Sequence, residues 1–349
     1  MELLYKLNTA ITESDRKFKY AKVLAFLQNQ EVDALGISAD LKGLYDQYSE
    51  QIRAINGEMF RPQADYQQIL ANLHAVEQEV HQNKRLTPAL RRYIAVQIFP
   101  KTAYCYYKLK DLSQAEHYLE QKFRLGIELV KEGNFFEFYD LLEQVLNRNK
   151  VLLAQNRMDE CIQQWAELFR FLLNGHSSSW PFLHFDISFT ETGLFKILKE
   201  YTFFNFLNVY INDYMKFNVY PNPSVIFSPW YSDMEVNTTE RLAIYRYINL
   251  QERVPKIPLD KFISEVVEFT QLFENKNYLN LRCSLIASLV DKLEVATIPA
   301  QQKSVQAAFL IDYLNGLATG IAWVHKLTAK LEKLVSAQGV LAKCIEKER

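Results

Sequence analysis

Glycine and proline are scarce in this sequence, with 10 of each among 349 residues, roughly half of their average usage. All-β folds need both residues at tight turns, and nucleotide-binding loops need glycine where the backbone approaches a phosphate. The chain also has no Gly-rich phosphate loop, no G-x-S-x-G elbow and no kinase motif set. These shortages favour long helices and leave no catalytic signature.

Cysteine and metal-ligand motifs are equally sparse. No C-x-x-C pair joins the four cysteines, which are Cys105, Cys161, Cys283 and Cys344. Such spacing is typical of reduced, buried thiols in a cytosolic protein. The six histidines form no metal-binding motif. His74 and His81 lie a heptad apart on one predicted helix, and we expect them on its solvated face. The sequence therefore predicts no metal ion and no cofactor.

The chain has no surplus of basic charge either, because it has 40 basic and 41 acidic residues. Nucleic-acid binders generally need such a surplus, so we expect no nucleic-acid partner. The N-terminal residues lack the basic and apolar regions of a secretory signal. Residues 305–324 are largely apolar, but Asp312 and Asn315 would be costly in lipid. We expect a buried helix there, crossed closely at Gly316 and Gly320, in a cytoplasmic protein without integral membrane association.

Apolar residues at helical spacing run through most of the chain. The i, i+3, i+4, i+7 pattern over residues 41–55 and 66–80 predicts two helices, and Gly57 is placed to cap the first. Long stretches of alternating polarity, which strands would need, are absent. The fold class predicted is all-α, with further helices near residues 134–155, 157–173, 190–217, 239–251, 259–274, 277–293 and 301–336.

Local signals predict where some helices start. Thr87 followed by Pro88 is typical of an N-cap and a first helical residue, and Pro100 predicts a further start in the same way. Ser113 and Glu116 have the spacing of a capping box, in which each side chain bonds an amide of the first turn.

Two stretches interrupt the helical pattern. Residues 175–188 are rich in turn formers, and residues 218–237 contain three prolines without a helical period. Both are predicted as long loops. The chain is accordingly divided into an N-terminal array of helical hairpins, residues 1–174, and a C-terminal helical region, residues 175–349, which holds an aromatic-rich segment and a long terminal helix.

Residues 99–121 resemble a tetratricopeptide-repeat unit. The segment has an aromatic residue at its start, Phe99, and the small residues Ala103 and Ala115 where the two helices of such a unit cross. Small side chains at the crossing let antiparallel helices approach closely, while larger ones fill the gaps between neighbouring hairpins.

Weaker similarity to the same family occurs near residues 145–168 and 265–288. Lys122 departs from the family pattern because it stands where a small residue is expected. The resemblance implies an irregular α-solenoid of stacked antiparallel helical hairpins, and a concave surface of such a stack binds a peptide or a partner helix. We therefore expect a protein-binding or peptide-binding scaffold; the sequence leaves its oligomeric state open.

Aromatic residues mark one candidate binding segment. Residues 201–231 contain 11 aromatics, which serve hydrophobic cores and ligand grooves alike. Most are expected in the core, but those in the proline-containing loop are candidates for partner contact, together with two asparagines of the hairpin array. These candidates are Tyr220, Phe227, Trp230, Tyr231, Asn149 and Asn156.

Two other functions stay open at this level. One is an all-α enzyme with a pocket under the 218–237 loop, in which His184 and Asp186 are the candidates for acid–base catalysis, although a local hydrogen bond explains that pair more simply. The other is a peptide-sensing regulator with an N-terminal DNA-binding domain. Residues 1–95 show neither a helix-turn-helix nor a basic excess, so this alternative ranks last.

Overall fold

The structure is a computed structural model that describes residues 38–132, 135–174, 202–203, 206–207, 209–211, 223–227, 236, 239–274, 278–316 and 322–347. These residues contain helices and no strand, which confirms the all-α prediction. None of the described helices is long and apolar enough to cross a membrane. The chain divides into two compact units between Thr202 and Phe203. The predicted boundary at residue 175 lies outside the described residues and stays a prediction.

The first unit consists of consecutive helices that pack as neighbours. Each described helix contacts the next along the chain, and the third also contacts the first and the fifth. Contacts between consecutive and alternate helices are those that a stack of helical hairpins makes. The helices are α1 (Ala39–Met59), α2 (Tyr66–Gln82), α3 (Pro88–Lys108), α4 (Leu112–Lys131), α5 (Phe135–Ala154) and α6 (Met158–Asn174).

Side-chain caps fix the start of α3 and α4. Thr87 accepts a hydrogen bond from the amide of Leu90 at 3.2 Å, and Pro88 is the first helical residue, as predicted. The capping box predicted at Ser113 was wrong. Asp111 caps α4 instead, because its carboxylate accepts from the Gln114 amide at 3.1 Å and Ser113 already lies inside the helix.

Two predicted helix boundaries were also wrong. Gly57 lies inside α1, and Pro100 lies inside α3. A proline in a helix removes one backbone hydrogen bond and crowds the preceding turn. Nearby side chains bond the carbonyls of that turn: Lys101 Nζ donates to the carbonyl of Gln97 at 2.8 Å. Because α3 packs against helices on several sides, tertiary packing outweighs the local cost of Pro100.

The second unit is organised around one buried helix. All residues from Leu281 to Val290 are buried, and their helix contacts four others of this unit. The helices are α7 (Pro223–Phe227), α8 (Thr239–Arg253), α9 (Leu259–Leu272), α10 (Leu279–Val295), α11 (Ala300–Gly316) and α12 (Ala322–Lys347). The central one is α10, which contacts α8, α9, α11 and α12.

Three expectations for this unit need correction. The helix predicted over residues 301–336 is two helices, since α11 ends at Gly316. Its expected burial is wrong on one face, where Val305 is 66% and Phe309 56% exposed, and Gly316 has no atom close enough to mark a helix crossing. Finally, α7 is a short helix within the predicted loop 218–237, and Pro223, with its fixed φ, is its first residue.

Candidate functional site: the groove between α2 and α4

The predicted site residues fall into two groups. His184, Asp186, Tyr220, Trp230 and Tyr231 lie outside the described residues, so their roles stay predictions.

Phe227, Asn149 and Asn156 are described. Phe227 is fully buried at the end of α7. Asn149 is fully buried in α5, and its side-chain nitrogen and oxygen have no hydrogen-bond partner among the described residues. Asn156 is exposed in the turn between α5 and α6, with a φ of 61°. None of the three lines the groove described next, and their proposed contacts with a partner also stay predictions.

A groove of about 490 Å³ lies between α2 and α4. Both helices pack on α3, which forms the base of the groove. Its floor is apolar and consists of Val80, Ala95, Ile98, Phe99 and Leu125. Polar side chains of α2 and of the first turns of α3 form its sides: His74, Glu77, Gln78, His81, Arg91 and Arg92.

The floor follows from the sequence of α3. Ala95, Ile98 and Phe99 have the i, i+3, i+4 spacing that places side chains on one stripe of a helix. Ile98 is fully buried and Phe99 nearly so. The short side chain of Ala95 leaves room above the backbone, which gives the groove its depth there.

An aromatic cluster stands at the His74 end of the groove. Nε2 of His74 lies 3.3 Å from the hydroxyl oxygen of Tyr106, and Nδ1 of His74 lies 3.4 Å from Oε2 of Glu77. Tyr106 stacks on Tyr118 with ring centroids 5.6 Å apart, and His74 lies 6.0 Å from Tyr118. The contact between His74 and Tyr118 joins α2 to α4. His74 is therefore half-buried rather than solvated, whereas His81 is exposed as expected.

Burial keeps Tyr118 protonated. It raises the pKa of this phenol to about 12, and the charge of Glu77 and the neighbouring Tyr106 act in the same direction. Tyr106 and Tyr118 are thus neutral rings with hydroxyl groups, suited to packing and hydrogen bonding.

Two consecutive arginines near the other end have different surroundings. Arg92 forms a two-point ion pair with Glu132, at 2.8 Å and 3.0 Å, and Glu128 lies 3.8 Å away. Arg91 donates to the backbone carbonyl of Asn83 at 2.8 Å. No carboxylate in the described part of the chain pairs with Arg91, and its Nε, like that of Arg92, is buried without an acceptor there. Arg91 is therefore the arginine of the groove that has no carboxylate partner among the described residues, while the carboxylate of Glu77 lies at the His74 end.

Other cavities are less suited to an apolar ligand. A larger groove of about 680 Å³ on α4 is lined by charges of both signs, including Glu120, Arg124 and Arg148. In the second unit, a groove of about 480 Å³ between α8 and α9 contains two ion pairs, Arg246 with Glu268 and Arg253 with Glu265. Only the α2–α4 groove, among these three, combines an apolar floor with an unpaired charge.

A buried ion cluster beneath the surface of the first unit escaped sequence reasoning. The Lys122 ammonium contacts the carboxylates of Glu137 and Asp140 on α5. Gly126 makes room for this contact, because a Cβ there would lie 2.5 Å from Glu137 Oε1. The available signal was the position of Lys122 on the buried stripe of α4, between Leu119 and Gly126. Lys122 and Glu137 are buried and Asp140 is partly exposed, and the contacts make the cluster a structural link between α4 and α5.

Neither a metal site nor a reactive thiol occurs among the described residues. No group of His, Cys, Asp and Glu side chains there could hold a metal ion. Burial raises the pKa of Cys105 to about 11 and that of Cys161 and Cys283 to about 12. Such thiols are rarely ionised at neutral pH and are poor nucleophiles.

The fold and the groove together define an all-α protein whose consecutive helices pack side by side and leave an apolar groove between alternate helices. No protein-family model, no curated protein sequence and no solved structure matches this chain.

Proposed function

We propose that the first unit binds a segment of another protein in the groove between α2 and α4. The observation that carries this proposal is the combination of an apolar floor with polar sides in one groove. Binding sites generally combine a mostly apolar lining with a few polar groups that fix orientation, and their volumes run from about 300 to 1,000 Å³. The groove, at about 490 Å³, is large enough for several side chains of a polypeptide.

The shape of the site favours a polypeptide over a compact small molecule. The groove runs alongside α2 from His74 to His81, seven residues that span roughly 10 Å of helix. It is open to solvent along that length, since His81 and Gln78 are exposed. A helix or an extended segment laid into such a groove buries alternate or i, i+3, i+4 side chains on the floor.

Resemblance to tetratricopeptide repeats supports the proposal. Ala103 and Ala115, the small residues expected at a helix crossing, are both buried and pack in one cluster with Leu119 and Val151. Proteins of that family bind peptides, and a stack of helical hairpins exposes long surfaces for this purpose. A cytoplasmic location belongs to the same proposal and is supported by the sequence alone.

A peptide selection tests the proposal, together with two variants in which an alanine is replaced by arginine. Random linear peptides displayed on phage are selected on the full chain, and their affinities are measured by fluorescence anisotropy. Ala95→Arg fills the floor of the groove, so we expect roughly tenfold weaker binding or more. Ala75→Arg is the matched control, because Ala75 is exposed on α2 and does not line the groove. Circular dichroism melts establish that both variants fold.

Two results would overturn the proposal. One is that no peptide is enriched on the wild-type chain. The other is that the enriched peptides bind Ala95→Arg as tightly as they bind Ala75→Arg, which would place their site elsewhere.

A further inference from the structure

The charge of Arg91 extends the proposed function to the chemistry of the bound segment. Arg91, Ala95 and Ile98 are spaced i, i+4, i+7 on α3, so they lie on one stripe of the helix. All three line the groove. The stripe therefore carries a cation at one end and an apolar floor over the rest.

Arg91 and Arg92 show what an arginine at this place needs. Arg92 is held by Glu128 of α4 and by Glu132, which follows the last residue of α4, and its charge is balanced within the chain. Arg91 donates to one backbone carbonyl and pairs with no carboxylate in the described part of the chain. It also lies in the second turn of α3, close to the positive end of the helix dipole, which adds to the positive potential.

A segment that covers the groove must replace the water that now solvates the Arg91 guanidinium. Apolar cover would remove water from Arg91 without replacing its hydrogen bonds, which is unfavourable. A carboxylate would form a charge-assisted hydrogen bond with the guanidinium and satisfy it. We infer that the groove binds a polypeptide segment carrying an apolar residue and a side-chain carboxylate, Asp or Glu, with the apolar residue on Ile98 and Phe99 and the carboxylate on Arg91. This inference rests on the proposed function.

Helix geometry sets the distance between the two anchors. Arg91 and Ile98 are separated by about 10 Å along α3. An extended segment advances roughly 3.3 Å per residue and turns alternate side chains to one face, so its carboxylate should stand about two or four residues from the apolar anchor. A helical segment would need about two turns for the same distance. The register of the selected peptides therefore reports their bound conformation.

A double-mutant cycle on the full chain tests the inference. The probes are a peptide enriched in the selection, and the same peptide with its acidic residue changed to the amide. We expect Arg91→Gln to weaken the acidic peptide roughly tenfold or more and the amide peptide less than about twofold. Arg92→Gln is the matched control, because it removes the same charge from the neighbouring residue. It should affect both peptides equally. Salt should weaken only the acidic peptide on the wild-type chain.

The outcomes separate the inference from the function it depends on. Peptides whose binding is abolished by Ala95→Arg occupy the groove. If such peptides are not enriched in acidic residues, or if their acidic residue is not coupled to Arg91, the carboxylate inference is overturned and the binding function stands. If no peptide binds at all, both are overturned. Coupling that is equal for Arg91 and Arg92 would also contradict the inference, since it would report only the general charge of the groove.

Discussion

Both compact units bury polar groups inside a helical core, but the contacts that satisfy these groups differ. In the first unit the polar contact is ionic: Lys122 is fully buried and meets Glu137 and Asp140. The second unit also buries Arg241 and Arg282, but one of its polar contacts is neutral: Ser284 and Gln251 hydrogen-bond each other between α8 and α10, at 3.3 Å. A buried charge depends on its partner far more than a buried hydroxyl does. The units should therefore respond differently to the loss of one partner.

The hydrogen bonds of the neutral network are also distributed over several side chains. The hydroxyls of Tyr247 and Ser284 are 2.8 Å apart, and Ser288 donates to Oε1 of Gln251 at 2.9 Å. Each group has more than one neighbour, so the removal of one leaves the others partly satisfied. Lys122, in contrast, is the cation that both carboxylates of its cluster contact.

Loss of Lys122 should have the largest effect on stability. Lys122→Met leaves Glu137 buried without its cation, which we expect to lower the free energy of unfolding by about 3–5 kcal/mol, measured by urea denaturation. The double variant Lys122→Met, Glu137→Met removes both charges and should recover most of the loss. Equal destabilisation in the single and double variants would show that the ion pair itself is not the cause.

On the alkaline side, the same cluster should be lost only well above neutral pH. Burial lowers the pKa of Lys122, but Asp140 and Glu137 outweigh that effect and raise it above its usual range. A raised lysine pKa contributes stability that is fully present below the unfolded value, about 10.4, and is lost as the pH rises through the folded value. Between pH 7 and pH 10, the free energy of unfolding of the wild-type chain should thus show no decrease that is absent from Lys122→Met, as measured by urea denaturation.

Gly126→Ala should have the next largest effect. The added Cβ would meet Glu137 Oε1 at 2.5 Å and Leu141 Cδ2 at 2.7 Å, and we expect a loss of about 1–3 kcal/mol. Gly57→Ala is the control, because Gly57 lies inside α1 with no atom within 4 Å of its Cβ position. It should raise stability by about 0.5–1 kcal/mol. If both variants shift the urea midpoint in the same direction, the close approach of α4 and α5 is refuted.

Ser284→Ala should have a smaller effect than either change in the first unit. It removes the oxygen shared by Tyr247 and Gln251, and the expected loss is about 1–2 kcal/mol. The variant Ser264→Ala is a suitable control, because that exposed hydroxyl bonds the carbonyl of Asp260 on its own helix. A loss for Ser284→Ala as large as that for Lys122→Met would end the distinction between the ionic and the neutral interior.

The smallest expected effect concerns Glu143 of α5. Surrounding protein atoms, and after them the charge of Asp140, raise its pKa to about 7, but the residue is exposed and solvent screens the shift. The folded chain therefore binds this proton more tightly than the unfolded chain does, so stability falls as the pH rises from about 4.5 to about 7. Glu143→Gln should flatten the dependence of the urea midpoint on pH in this interval. An unchanged slope would show that Glu143 titrates normally.

Several helices could be predicted from the sequence, whereas their ends could not. The apolar spacing in 41–55 and 66–80 identified α1 and α2, because a 3.6-residue period directly reflects burial of one helix face. Gly57 and Pro100 were misread as boundaries. Gly57 carries a local signal for a helix end and Pro100 one for a helix start, but packing against neighbouring helices outweighs a local cost of about 1–3 kcal/mol.

The candidate site was harder to predict than the helices. Aromatic residues and a histidine near acidic residues are prominent in the sequence, whereas the groove is formed by ordinary side chains of α2, α3 and α4. Arg91 and Arg92 look equivalent in sequence. They differ only because Glu132, forty residues further on, reaches Arg92 and not Arg91.

By itself, the sequence determined the all-α class and the existence of the main helices, since propensity and periodicity are local properties of a chain. It also determined that small residues such as Ala103 and Ala115 would allow close helix crossings. Only the tertiary structure decided which charges are paired, where a lysine could be buried and where a groove opens. These features depend on residues that lie far apart in the sequence and meet when helices pack.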